Sequence, residues 1–172
     1  MNALPPLAVV GAGSMGGAIL RGLLASGVDP ASVAVSTRST ASAQAWGADG
    51  VRAIAVADDA TANAAAVVGA QVVLIGVKPA MVPDTLREIA DALEPGALVV
   101  SVAAGVSIAT MESIVPNPVV RAMPNTPALV RRAVTGIAAG SRTTDADLAV
   151  ARALFEAVGS VIEVPESPLN AL

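Results

Sequence analysis

The chain has 172 residues, 54% of them hydrophobic and 14% charged, with a formal net charge of −4. That length fits one domain able to bury most of its apolar surface, and with Trp46 and Phe155 as its only aromatic residues the core must be built from Ala, Val, Leu and Ile, which argues against base-stacking recognition of nucleic acid. The absence of Cys and His excludes thiolate nucleophiles, imidazole triads, Cys/His zinc sites and disulfides, so chemistry rests on a bound cofactor or a few carboxylates.

In chain order, short runs rich in Val, Leu and Ile predict strands at residues 7–10, 33–37, 51–55, 72–77, 98–102, 118–122, 134–139 and 160–164. Their continuous apolar character suits strands covered on both faces. Between them, Ala- and Leu-rich windows predict helices at 14–26, 60–68, 81–93, 107–114 and 145–158. Asp58 and Asp59 are placed to cap the second helix, and Thr144 with Asp145 and Asp147 supplies acceptors and negative charge at the last, which Gly159 then stops. This alternation is the signature of βαβ units around a mostly parallel sheet. After residue 164, Ser167 before Pro168 reads as the cap and first position of one more helix. The expected division is therefore a single domain over 1–164 and a stub of a further helical domain over 165–172.

The ten basic residues, including the single lysine Lys78, are dispersed among fourteen acids. No stripe follows a phosphate backbone and no polybasic patch meets a membrane, so the expected partner is a small molecule. The apolar stretch from Leu7 to Ala25 lacks a basic leader, since its first positive side chain is Arg21, and the runs at 72–77 and 97–106 are too short to span a bilayer. A soluble, cytoplasmic protein is expected.

One motif carries chemistry directly. Gly11-Ala12-Gly13-Ser14-Met15-Gly16 follows a predicted strand and opens a predicted helix, the context that a G-x-G-x-x-G match requires. Gly11 permits the tight turn, Gly13 lets the backbone approach a pyrophosphate, and Gly16 lets helix and strand pack closely. The helix terminus offers free N–H groups to the anion. The fold class is thus α/β, doubly wound and of Rossmann type, with about eight strands and helices on both faces. About twenty residues further on, where an NAD site presents an acid to the ribose, the chain has Ser36-Thr37-Arg38-Ser39-Thr40, and no acid occurs from Pro30 to Ala48. Hydroxyls and a guanidinium suit the 2′-phosphate of NADP(H); the alternative is a solvated polar turn.

Four further segments sharpen this reading: Val77-Lys78-Pro79, Ser101-Val102-Ala103-Ala104-Gly105-Val106-Ser107-Ile108, Val120-Arg121-Ala122-Met123-Pro124-Asn125-Thr126-Pro127, and Glu166 to Ala171. With the Gly11 to Ile19 opening, this ordered set resembles pyrroline-5-carboxylate reductase, which reduces a cyclic imine to proline in the last step of proline synthesis. The resemblance implies that Gly11, Gly13, Ser14, Met15 and Gly16 hold the pyrophosphate and that Ser36, Thr37, Arg38 and Ser39 surround the 2′-phosphate. It places Asn63 against the adenosine, and Val77, Lys78, Pro79, Ala103, Ala104 and Gly105 at the nicotinamide end. Met123, Pro124, Asn125 and Thr126 would follow the sixth strand and form the floor between nicotinamide and substrate. For that segment a rigid Pro-bounded turn with Asn125 bonding its own backbone is the competing reading, and for Lys78 a surface residue at a strand end. No catalytic acid is identified: an imine arriving as the iminium already carries its proton. The resemblance also implies a helical domain beyond residue 172 that builds a homodimer and the substrate carboxylate site. Two other functions stay open, a hydroxyacid or 6-phosphogluconate type of NADP-dependent dehydrogenase and a non-catalytic NADP(H)-binding module.

Overall fold

A computed structural model describes residues 4–125 and 133–170. One sheet of eight strands runs through it in the order β3-β2-β1-β4-β5-β6-β7-β8. The strands are β1 (Leu7–Val10), β2 (Val33–Thr37), β3 (Arg52–Ala55), β4 (Val72–Ile75), β5 (Leu98–Ser101), β6 (Val119–Pro124), β7 (Ala133–Ala139) and β8 (Gly159–Glu163). All neighbours pair in parallel except β6 and β7. The first six strands therefore form a doubly wound sheet whose order reverses between β1 and β4, the point at which such sheets open a ligand crevice.

Among the described residues seven α-helices cover it: α1 (Ser14–Ala25), α2 (Thr40–Ala48), α3 (Ala62–Val67), α4 (Val82–Ile89), α5 (Ile108–Glu112), α6 (Asp145–Glu156) and α7 (Glu166–Leu169). Side chains alternate across each strand, so the core divides in two. On one face Val9, Val35, Leu74, Val100 and Val120 pack against α1, α2 and α6 through Ile19, Leu23, Trp46, Leu154 and Phe155. On the other, Val10, Val73, Ile75, Val99 and Val119 pack against α3, α4, α5 and α7 through Val67, Leu86, Met111 and Leu169. Covering on both faces explains why β1, β4 and β5 are buried along their whole length.

Several local expectations need correction. α2 was not expected, because only Trp46 of its residues is buried and the window has no apolar stripe; Arg21 of α1 lies over the Trp46 ring at 4.9 Å. Asp58 and Asp59 do not cap α3, which starts at Ala62 after Thr61. Instead Asp59 Oδ1 accepts from Thr61 N and Oγ1 at 2.8 and 2.7 Å, and these bonds hold its carboxyl below the usual carboxylate range. Asp58 turns to Thr40. Met81 belongs to a short 3-10 turn with Pro79, and α4 begins only at Val82. Ser167 is not a cap, since α7 already begins at Glu166. Gly159 does not terminate α6 but opens β8, where a Cβ would collide with the Ala133 carbonyl. The start of α6 is as expected, with Thr144 and Asp147 bonded reciprocally in a capping box.

Candidate functional site

The strand ends fall into one lateral row. Ser36, Val10, Ile75, Ser101 and Arg121 are register partners in succession across β2, β1, β4, β5 and β6, so the residues that follow each of them rise together at the carboxyl edge of the sheet.

At the centre of that edge three glycines interlock. Gly11 has φ +85°, and a Cβ there would meet Val77 N at 2.9 Å. A Cβ on Gly16 or on Gly76 would come within 2.6 Å of the Gly11 carbonyl oxygen. The β1–α1 turn is thus seated directly against the end of β4. Gly76 was not recognised in the sequence; its signal was a glycine inside an otherwise apolar run, which marks close backbone approach.

Gly13 is different. It is exposed, it is the N-cap residue of α1 and carries no capping side chain, and a Cβ on it would meet nothing within 4 Å. The N–H groups of Ser14, Met15 and Gly16 find no acceptor among the described residues. A first turn with free donors above an open space can cradle an anion.

The residues after Val35 divide into braces and exposed groups. Ser36 is buried; its carbonyl accepts from Gly11 N and Ala12 N, both at 3.2 Å, and its Oγ accepts from Gly11 N at 3.3 Å. Thr37 is buried, and its Oγ1 donates to the Ser39 carbonyl at 2.9 Å. These two side chains hold the turn. Arg38 and Ser39 are exposed, and Ser39 caps α2 by accepting from Ser42 N at 3.2 Å. The tertiary structure also adds an acid that the local sequence lacks: Asp58 Oδ1 accepts from Thr40 Oγ1 at 2.8 Å.

Asn63, half-buried at the start of α3, donates through Nδ2 to Glu88 Oε2 at 3.2 Å. β4 ends at Ile75, so Val77, Lys78 and Pro79 lie beyond it rather than closing it. Val77 is half-buried, while Lys78 and Pro79 are exposed. Ala103 is buried, its N–H donating to Ser101 Oγ at 3.2 Å, with Ala104 and Gly105 exposed beside it. Met123 and Pro124 are part of β6 rather than a loop after it, and Pro124 stands opposite Thr135 of β7. Asn125 accepts from Val134 N at 3.1 Å through Oδ1, and so bonds the backbone of the next strand and not its own. Thr126 lies outside the described residues. The carboxyl edge thus brings together the glycine turn, the Arg38 loop, Lys78, the Ala103 loop and the end of β6. A cleft of about 600 Å³ lies at the opposite edge, lined by Pro5, Gln71, Glu94, Leu98 and Asp147 among others, and holds none of these residues. No helix of the described residues is long and apolar enough to cross a membrane.

Known proteins are similar to this chain in sequence and fold. A family model described as NADP oxidoreductase coenzyme F420-dependent matches residues 6–105. Pyrroline-5-carboxylate reductase of Pseudomonas aeruginosa is 39% identical over 90% of this chain and 56% of its own length, and that of Mycobacterium tuberculosis 38% identical over 96% and 57%. The structure of a pyrroline-5-carboxylate reductase from Coxiella burnetii superposes with a TM-score of 0.87 at 32% identity, over 95% of this chain and 60% of that one. That of the Plasmodium falciparum enzyme, which has NADP bound, gives 0.81 at 21% identity over 96% and 59%, a likeness of fold. The chain spans less than two thirds of the length of these relatives. The chain belongs to the NADP oxidoreductase, coenzyme F420-dependent family, and over nearly its whole length it is similar to pyrroline-5-carboxylate reductases.

Proposed function

We propose that this chain is the NADPH-binding part of a reductase that converts the cyclic imine 1-pyrroline-5-carboxylate to proline. The observation that carries the reading is the open cradle at Gly13, with free first-turn donors, at the point where strand order reverses. The residues present fit the cofactor. The N–H groups of Ser14, Met15 and Gly16 would donate to its pyrophosphate, and Arg38 with Ser39 to its 2′-phosphate, while Ser36 and Thr37 act by holding the turn. Asn63 and Val77 would flank the adenosine and nicotinamide halves. When bound, NADPH supplies a hydride to the imine carbon; with the imine nitrogen already protonated, the product is the secondary amine.

The chain's own contribution is placement. Ala103, Ala104 and Gly105 on one side and Met123, Pro124 and Asn125 on the other would wall the nicotinamide end, orient it and keep water away. The missing imidazole, thiol and phenol groups are not needed for this reaction. The deciding experiment pairs NADPH titration with turnover of two substrates, pyrroline-5-carboxylate with NADPH and a 3-hydroxyacid with NADP+, in a form extended to the length of the relatives. Oxidation of NADPH by the imine supports the proposal. Oxidation of the hydroxyacid, or binding with no turnover of either, would replace it with the dehydrogenase or the non-catalytic reading.

A further inference from the structure

Arg121 is 1% exposed within the sheet, yet among the described residues its guanidinium is bonded at one nitrogen only. Nη1 donates to Glu166 Oε1 at 3.1 Å and to Asn170 Oδ1 at 2.9 Å. Nε and Nη2 are buried with no acceptor among the described residues. A buried ion pair is often less stabilising than apolar residues of the same volume, and incomplete bonding makes it worse. Stability therefore does not explain an arginine here.

Its connections do. Arg121 stands opposite Ser101 of β5, whose Oγ accepts from Ala103 N, and it lies two residues before Met123 on the same face of β6. The Glu166 oxygen that it contacts also accepts from Ile108 N at 2.7 Å, and Ile108 opens α5 directly after the loop that contains Ala103, Ala104 and Gly105. One carboxylate oxygen thus ties the strand bearing Met123 to the helix that closes the Ala103 loop. α7 and its C-cap residue Asn170 supply the two acceptors, and Leu169 buries the helix in the core on that face.

We propose that Arg121, held by Glu166 and Asn170, is a positioning residue that sets the spacing between the Ala103–Gly105 loop and the Met123–Asn125 strand end, and with it the nicotinamide half of the cofactor site. The proposal rests on the NADPH reading above. It concerns only one half of the cofactor, because Gly13 and Arg38 lie on the β1–α1 and β2–α2 connections, away from α7.

The test compares NADPH with 2′,5′-ADP, which lacks the nicotinamide half, by titration of the wild-type chain and of Glu166→Gln, Asn170→Ala, Arg121→Met and Arg121→Lys. In the α7 variants 2′,5′-ADP should bind within about twofold of wild type while NADPH weakens about three- to tenfold. Arg121→Met should show the same selective loss, and Arg121→Lys should recover part of it, since an ammonium can still reach an acceptor of α7. If Arg121→Met does not fold, the two α7 variants decide by the same comparison. Equal losses for both ligands, no loss for NADPH, or a wild type that binds the two alike would overturn the positioning role. A wild type that binds neither ligand would instead remove the NADPH reading and the proposal with it.

Discussion

Asp58 accepts a hydrogen bond from Thr40 at 2.8 Å across eighteen residues of sequence. Val56 N and Ala57 N donate to the carbonyls of Thr37 and Arg38 at 2.8 and 3.3 Å, so the loop bearing this carboxylate is fixed beside the Arg38 turn. A negative charge near a bound 2′-phosphate opposes it. Asp58→Asn should tighten NADPH about two- to fivefold at low ionic strength, and less in high salt. NADH affinity should not rise. Titrations at two salt concentrations check this, and an NADPH affinity indifferent to the substitution at both would place Asp58 away from the phosphate.

Arg38 is the exposed cation of that turn. Loss of a charge-assisted contact costs about 1.5 to 3 kcal/mol, so Arg38→Ala should weaken NADPH by roughly tenfold or more and leave NADH little changed. Equal losses for the two cofactors would show that Arg38 does not read the 2′-phosphate.

The glycines divide by what surrounds them. Gly13→Val should abolish cofactor binding in a folded protein, because the added side chain enters open space above the helix terminus and meets no protein atom within 4 Å at its Cβ. Gly76→Val should instead lower the melting temperature, since its Cβ would press on the Gly11 carbonyl at 2.6 Å. Circular dichroism melts beside NADPH titrations separate the two effects. A Gly13→Val protein that binds NADPH normally would move the phosphate site elsewhere.

Thr144→Ala removes the side chain that bonds Asp147 N at 3.1 Å at the start of α6. The expected loss is about 1 kcal/mol, seen as a lower melting temperature. NADPH affinity should stay constant, because α6 packs on the β7–β8 side of the sheet.

Turnover of pyrroline-5-carboxylate by this 172-residue chain should be slower by orders of magnitude than by a form extended to the length of its relatives. Lys78, Ala104, Gly105 and Asn125 are all exposed, so the wall proposed for the nicotinamide would face solvent on its far side. Orientation alone supplies several kcal/mol of a typical barrier. Steady-state oxidation of NADPH by the two forms is the comparison, and similar rates would mean that one wall suffices.

Much of this protein was legible in its residues. The runs Leu7–Val10 and Val33–Thr37 end where β1 and β2 end, because fully buried parallel strands must be continuously apolar and turns must follow them. Gly11 and Gly16 announced the β1–α1 turn for a reason that is local: Gly11 has φ +85° and a Cβ on Gly16 would press on the Gly11 carbonyl. α2 was not legible, since its single buried anchor, Trp46, gives no period to read. Tertiary structure alone decided the rest. It gave Ser36 a bond from Gly11 N across twenty-five residues, carried Met123 and Pro124 into β6 by pairing them with β7, brought Asp58 to Thr40, and joined Arg121 to Glu166 across forty-five residues. Each of these depends on a hydrogen-bond partner distant in sequence, and hydrogen bonding in a folded chain is settled by which strand ends and loops the sheet brings side by side, not by the residues next to them in the chain.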